Sequence, residues 1–229
     1  IGRVYRNEGT SPDHAQEFTN LEFYAAYMDL EEGIKLTEDL LRQLARDVFG
    51  KTAFSARGMH FELSESAWPR IEYVEKVKEM TGIDVLSASE DDMKAKLDEL
   101  GVKYTGDNRE RLTDTLWKYC RKQIAGPAWL VGHPKLVSPL SKARIDNPEL
   151  TNRAQLILAG AEATNGFSEL NNPVDQRERF ELQQKLIDRG DKEAMMPDWE
   201  FVEMLEHGMP PAFGNGFGDR LFAILVDKP

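Results

Sequence analysis

The sequence contains a single cysteine, Cys120, among its 229 residues. One cysteine can form neither an internal disulfide nor a cysteine-rich zinc site, and low cysteine usage is typical of a reducing compartment, so we expect a cytoplasmic protein. Cys120 lies within the helical pattern LWKYCRKQI, which favours a packing role over that of a nucleophile.

Long apolar runs and excess positive charge are also missing. No stretch of about 18 apolar residues is present, so no membrane span is expected, and no N-terminal segment resembles a secretion signal. The net charge of −11 argues against sequence-independent binding to nucleic acid as the main task, because phosphates need a basic surface, although it leaves room for a locally basic pocket. No DNA partner is expected. A hydrophobic content of 41% suits one large domain with a real core.

The order of predicted elements indicates an α+β fold, an antiparallel sheet flanked by helices. IGRVYRNE and EFTNLEFYAAYMDL alternate as two strands of a long hairpin. Residues 31–49 predict a helix that ends at Gly50. Residues 65–125 predict a charge-rich helical insertion that contains a Ser87/Glu90 capping box. The stretch 153–170 predicts a strand.

The opening hairpin concentrates polar side chains. Arg6 and Glu8 are two residues apart on one strand, and Glu22 and Tyr24 are two apart on the returning strand. Residues spaced by two share a face of a strand, so a paired hairpin would project all four side chains over one surface. The alternative is a solvated face with surface ion pairs.

A second polar group interrupts the small and apolar residues of AEATNGFSEL, where Glu162, Asn165 and Glu169 lie. A buried carboxylate is costly unless a cation or a metal neutralises it. Two acids in this setting therefore indicate a cationic ligand, a metal or an arginine. The alternative is an edge strand whose acids face water.

The segment FGNGFGDRLF is interpreted as a glycine-rich loop that enters a helix. Glycines let a backbone approach phosphate closely, and Arg220 in the first helical turn would add a guanidinium. The alternative is a structural pair of Arg220 with Asp219 or another acid. His133 has no partner at metal-ligand spacing, so a structural role is favoured for it. Together the two arginines, the buried acids and the aromatic residue indicate a pocket for a polyphosphate and a cationic small molecule.

Several stretches resemble a known family. YRNEG and GNGFGDRLF resemble the second and third signature motifs of class II aminoacyl-tRNA synthetases. Within that class, HPKLVSPLSKARIDNPELTNR and NGFSELNNPVDQRERF resemble lysyl-tRNA synthetases. The resemblance implies one partial catalytic domain over residues 1–229, without the first motif and the anticodon-binding domain. It also implies that the full-length protein is a homodimer.

The resemblance implies a role for each site residue. Arg6 would bridge the ATP α-phosphate and the lysine carboxylate, and the remaining ATP contacts would come from Glu8 (adenine amino group), His14 (outer phosphates), Phe18 (stacking on adenine) and Arg220 (the other adenine face and the γ-phosphate). The lysine contacts would come from Tyr24 and Glu169 (ε-ammonium), Glu22 (α-ammonium) and Asn165 (carboxylate). Glu162 would bind Mg²⁺.

The chain departs from the family where a second metal-binding acid is expected, because Gln155 stands there. Fewer or weaker Mg²⁺ ions are therefore expected. The implied reaction is ATP-dependent formation of lysyl-adenylate and transfer of the lysyl group to tRNA(Lys). Two alternatives stay open beside a piece of such an enzyme: a ligase that adds lysine to a protein, and a non-catalytic module that binds lysine or ATP.

Overall fold

The fold is built on a seven-stranded sheet. A computed structural model describes residues 1–6, 15–191 and 194–227. The strands follow one another across the sheet in the order β1 (Gly2–Tyr5), β2 (Glu17–Ala26), β9 (Ala212–Gly218), β8 (Ala161–Ser168), β7 (Arg153–Leu158), β6 (Ala128–Val131) and β5 (Arg70–Glu72). Every neighbouring pair is antiparallel except β5 and β6. The predicted α+β fold around an antiparallel sheet is confirmed.

One face of the sheet is covered by helix α1 (Leu30–Phe49) together with the hairpin of β3 (Ala53–Ala56) and β4 (Met59–Glu62). Asp29 and Glu32 form a capping box at the start of α1. The helix ends where Gly50 adopts a left-handed conformation with φ of 62°, as predicted. The inner side of α1 buries Ile34 and Leu41 against the sheet.

A buried ion pair lies within this core. Glu38 of α1 accepts hydrogen bonds from Arg42 at 2.9 Å and from the indole N–H of Trp129 at 2.9 Å. Arg42 also donates to the backbone oxygens of Ser64 and Ser66. The pair therefore ties α1 to the sheet and to the segment that follows β4.

The opposite face is covered at one end by α2 (Tyr73–Thr81), α3 (Glu90–Glu99) and α4 (Arg109–Arg121). Their apolar sides form a second core with Leu130 of β6 and Ile157 of β7. Cys120 is buried in this core, and burial raises the pKa of its thiol to about 11, which fits the packing role expected from the sequence.

Two details of the predicted insertion differ in the structure. The segment begins with β5, which extends the main sheet rather than standing apart from it. The capping box is formed by Ser89 and Asp92 instead of Ser87 and Glu90. The reason is that the Ser87 N–H donates to Asp84 O in a preceding turn, so the free N–H groups of the helix come later.

Helices α5 (Pro173–Asp188), α6 (Trp199–Glu206) and α7 (Arg220–Leu225) complete the fold. Arg179 of α5 is buried and donates to the carbonyl oxygens of Ser138 and Ser141, so α5 holds the connection between β6 and β7. In the described part of the chain, no helix combines the length and the apolar character that a membrane crossing requires.

Two strand predictions need correction. The stretch 153–170 is a hairpin rather than one strand, because Ala159 and Gly160 turn the chain with φ of 46° and 71°. Its second strand, β8, is paired on both sides, so the edge-strand alternative is wrong. FGNGFG is likewise strand β9, between β2 and β8, rather than a loop. Its glycines are compatible with a strand because neighbouring strands satisfy its backbone groups on both sides.

Candidate functional site

The polar residues singled out in the sequence meet on one face of strands β2, β9 and β8. The register pairs Glu22 with Gly216 and Tyr24 with Gly214, and it pairs Gly216 with Asn165. Residues paired directly across neighbouring strands point to the same side of a sheet. Glu22, Tyr24 and Asn165 therefore share the face opposite α1.

Alternate glycines of β9 form the floor of this face. A Cβ atom added to Gly214 would collide with the Glu169 carboxylate and would lie 2.8 Å from the Tyr24 ring. At Gly216 it would lie 3.2 Å from Glu22 Cγ, and at Gly218 it would lie 3.3 Å from the Phe18 ring. Because these three glycines have no side chains, they leave a groove that is bordered by the side chains of the neighbouring residues. The period-two spacing of the glycines in GNGFG was the signal that could have identified this floor.

The acidic end of the groove is formed by Glu169, Glu22 and Tyr24. Glu169 is 9% exposed. Burial, and then the charge of Glu22, raises the pKa of Glu169 to about 7. Burial and both carboxylates likewise raise the pKa of Tyr24. Within residues 1–6, 15–191 and 194–227, burial and Glu22 are the influences on the Glu169 carboxylate and no lysine or arginine offsets them, so this end is electrostatically suited to a cation.

Asn165 lies in the middle of the groove. Its side-chain oxygen accepts a hydrogen bond from Arg153 Nε at 2.9 Å and a longer one from Gln155 Nε2 at 3.5 Å. Gln155 in turn contacts His133 Nε2 at 3.0 Å. His133 is buried, and burial followed by the charge of Arg153 lowers its pKa well below the ordinary value. The structural role expected for His133 is consistent with this environment.

The opposite end of the groove is aromatic and cationic. The Arg6 guanidinium lies over the Phe18 ring, 5.5 Å from its centroid, and Phe18 lies across Gly218. The Asp219 N–H donates to Thr19 O at 3.0 Å, which fixes the start of α7 beside β2. Arg220 therefore begins α7 next to the Phe18 end. Glu8 and His14, the other residues expected here, lie outside the described residues.

The residues expected to bind a metal do not form a cluster. Gln155 is buried and engaged with His133 and Asn165. Glu162 is partly exposed, and Arg121 lies 3.9 Å from its carboxylate. The described ranges contain no group of three or more His, Cys, Asp or Glu side chains that could hold an ion. By extension of the strand register, Glu162 lies beyond Asn165 towards the Phe18 end.

The length of the groove follows from strand geometry. Gly214 underlies Glu169 and Gly218 underlies Phe18, which is a separation of about 13 Å at ~3.3 Å per residue. Two chemically different ends thus lie within the reach of one elongated ligand or of two small ones. A separate cavity of about 720 Å³ lies between the β3–β4 hairpin and the end of α7, and none of the expected site residues lines it.

Comparisons with known proteins identify the family of the chain. The family model described as "tRNA synthetases class II (D, K and N)" matches residues 1–229. The chain is 41% identical over 229 residues to a lysine–tRNA ligase of Fervidobacterium nodosum and covers 45% of that protein. It is 42% identical over 233 residues to the lysine–tRNA ligase of Halalkalibacterium halodurans and covers 46% of it. In both matches the whole of this chain is aligned, so it spans about half the length of these curated relatives.

Proposed function

Because the chain belongs to the class II tRNA synthetases (D, K and N), we propose that it provides the site at which L-lysine is activated by ATP and passed to tRNA(Lys). The observation that carries this proposal is Glu169. It is a nearly buried carboxylate without a cationic partner among the described residues, at one end of a groove whose other end holds Arg6 and Phe18. The names of the relatives support lysine as the amino acid.

Lysine fits the acidic end. Its ε-ammonium would lie against Glu169 and the Tyr24 hydroxyl, and its α-ammonium would lie against Glu22. Asn165 would donate to the carboxylate. An uncharged side chain of similar length would leave the Glu169 carboxylate buried without a partner, at a cost on the order of several kcal/mol. This cost is the proposed source of selectivity for lysine.

ATP fits the aromatic end. Adenine would stack on Phe18, with Arg220 over its other face, and Glu8 would accept from the adenine amino group. Arg6 would bridge the α-phosphate and the lysine carboxylate, while Arg220 and His14 would meet the outer phosphates. Guanidinium groups suit this task because their fixed N–H geometry matches phosphate oxygens.

The proposed chemistry has two steps. A carboxylate oxygen of lysine attacks the α-phosphorus in line, the bond to the bridging oxygen of the β-phosphate breaks, and pyrophosphate leaves. The terminal ribose hydroxyl of tRNA then attacks the carbonyl of lysyl-adenylate and displaces AMP. No protein nucleophile is required, so Arg6 and Arg220 would act by positioning the reactants and stabilising the developing negative charge.

Mg²⁺ would accompany the ATP phosphates, with Glu162 as its protein carboxylate. Magnesium usually keeps several waters and takes one or two carboxylates beside substrate phosphates, so Glu162 together with the phosphates would be enough to hold it. It would neutralise phosphate charge there. Gln155 does not fit a second metal site, because its amide is committed to His133 and Asn165.

Lysine-dependent exchange of pyrophosphate into ATP, across a panel of amino acids, tests the proposal. We expect exchange with lysine alone, and we expect Arg6→Ala to reduce it by more than a hundredfold because phosphate and carboxylate lose a shared partner. Arg3→Ala is the control, since Arg3 lies on β1, three residues before Arg6, and pairs with Glu17 at the surface.

Absence of lysine-dependent exchange, or equal exchange with uncharged amino acids, would refute the proposed activity. Charging assays with tRNA(Lys) and with a protein acceptor identify the acceptor. Sedimentation of the full-length protein tests the homodimer that the family resemblance implies.

A further inference from the structure

We propose that Arg153 and Gln155 are positioning residues that orient the Asn165 amide, so that its Nδ2 group faces the groove as a donor for the substrate carboxylate. The inference rests on the proposed function, since it concerns how the same site recognises the carboxylate of lysine. It assigns Gln155 a role that differs from metal binding.

The orientation of Asn165 is fixed by a donor that cannot accept. Arg153 Nε lies 2.9 Å from one atom of the Asn165 amide. A guanidinium has only N–H donors, so the atom that faces it must be the amide oxygen. The NH2 group of Asn165 is then directed away from Arg153. No acceptor in the described part of the chain bonds that NH2 group, and Asn165 is partly exposed to the groove.

Arg153 is itself held in place. Its NH1 group donates to Val137 O at 2.9 Å and to Ser138 Oγ at 3.1 Å. Both acceptors belong to the segment between β6 and β7, which Arg179 of α5 supports through Ser138 O at 3.0 Å. The guanidinium thus has little freedom to leave Asn165.

Gln155 continues the same pattern of donors and acceptors. Because the Asn165 oxygen is fixed, Gln155 must present its NH2 group to that oxygen, at 3.5 Å. Its own oxygen then faces His133 Nε2 at 3.0 Å, and that nitrogen must carry the proton. Each member of this series determines the orientation of the next, from Arg153 through Asn165 and Gln155 to His133.

The chemical consequence concerns the substrate carboxylate. If the amide of Asn165 were rotated, its oxygen would face the groove and would repel a carboxylate. With the oxygen occupied by Arg153 and Gln155, the NH2 group is the atom presented to the ligand. A hydrogen bond from the Asn165 NH2 group to a charged carboxylate should make the affinity for a carboxylate ligand roughly tenfold or more higher than that for the corresponding hydroxymethyl ligand.

Calorimetric titration of the 229-residue chain with lysine and with lysinol tests the proposal. Lysinol keeps both ammonium groups and replaces the carboxylate by a hydroxymethyl group. The wild-type chain should bind lysine roughly tenfold or more tightly than lysinol. Arg153→Met should sharply reduce that preference, leaving only the part that Arg6 contributes, while the affinity for lysinol stays within about twofold. Arg153→Lys should restore part of the preference because an ammonium still donates.

Gln155→Met removes a donor without changing the charge, and it separates orientation of the amide from attraction by the Arg153 cation. It should reduce the preference for lysine by about threefold, and it decides the question if Arg153→Met does not fold. Asn165→Asp, which has no donor, should lose the part of the preference that Asn165 supplies.

An unchanged ratio of affinities in the folded variants would overturn the inference, as would an equal loss for lysine and lysinol. A wild-type chain that binds both ligands equally would overturn it while leaving lysine recognition through Glu169 intact. A chain that binds neither ligand would overturn the proposed function and this inference together.

Discussion

Replacement of Glu169 by glutamine isolates the charge on which lysine recognition depends. The two side chains have nearly the same shape, so the substitution removes the negative charge and preserves the volume of the acidic end. Glu169 is 9% exposed, and among the described residues no cation acts on its carboxylate. The ammonium of lysine would therefore be its first cationic partner.

The expected loss of affinity follows from the burial of the pair. Removing one partner of a buried, hydrogen-bonded charge pair costs about 2–5 kcal/mol. Since about 1.4 kcal/mol corresponds to a tenfold change, the dissociation constant of lysine should rise by roughly 30-fold to several thousandfold. Norleucine, which has no ammonium, should bind the variant at least as well as it binds the wild type.

The folded protein should become more stable in the same variant at neutral and alkaline pH. Burial and Glu22 raise the pKa of Glu169 from the ordinary 4.5 to about 7. A raised pKa means that the folded state holds the proton more tightly, so this group stabilises the fold below pH ~4.5 and loses that contribution as the pH rises through ~7. At pH 8 the buried charge of Glu169 lowers the free energy of unfolding by about 3 kcal/mol. Glu169→Gln should restore this stability because glutamine carries no charge.

The assay combines calorimetric titration of lysine with urea unfolding of the ligand-free chain, each at pH 6 and pH 8. For the wild type, lysine affinity should increase from pH 6 to pH 8, because an ionised Glu169 is the form that binds the ammonium. Glu17→Gln is the control, since Glu17 is a glutamate with an exposed side chain at the start of β2, at the other end of that strand from Tyr24.

If Glu169 is a buried acid that receives the lysine ammonium, Glu169→Gln should weaken lysine binding and raise the free energy of unfolding at the same time. Weaker lysine binding in a variant that is more stable cannot be attributed to unfolding. Lysine affinity that is unchanged by Glu169→Gln, or that falls from pH 6 to pH 8 in the wild type, would show that Glu169 does not receive the ammonium.

Two further substitutions test the floor of the groove and the core beneath it. Gly214→Ala should abolish lysine binding in calorimetry, because a Cβ atom there meets the Glu169 carboxylate and the Tyr24 ring. Gly2→Ala is the control and should have no effect, because nothing lies within 4 Å of the added atom. Lysine binding by Gly214→Ala would contradict the assignment of Gly214 to the floor of the groove. Glu38→Ala should lower the free energy of unfolding by about 3–5 kcal/mol because it leaves Arg42 buried without its carboxylate. Asp39→Ala, which removes an exposed partner of the same arginine, should cost less than about 1 kcal/mol in urea unfolding, and equal losses would show that burial of the pair is unimportant.

The elements that the sequence predicts most closely are those specified by local spacing. The apolar period of residues 31–49 and the glycine after it predict α1 and its end, and the structure agrees to within one residue. The alternation in the opening hairpin places Glu22 and Tyr24 on one face in the same way. The capping box predicted at Ser87 is wrong, because the Ser87 N–H donates to Asp84 O in the turn that precedes α3 and is not available for a capping box.

The sequence by itself determined which chemical groups are available and which residues of a strand share a face, because both depend on side-chain identity and a period of two. The tertiary structure alone decided that GNGFG is a central strand, since its partners β2 and β8 come from distant parts of the chain. It also decided the raised pKa of Glu169 and the orientation of Asn165. These depend on exclusion of water and on the placement of Glu22 and Arg153, which no local pattern specifies.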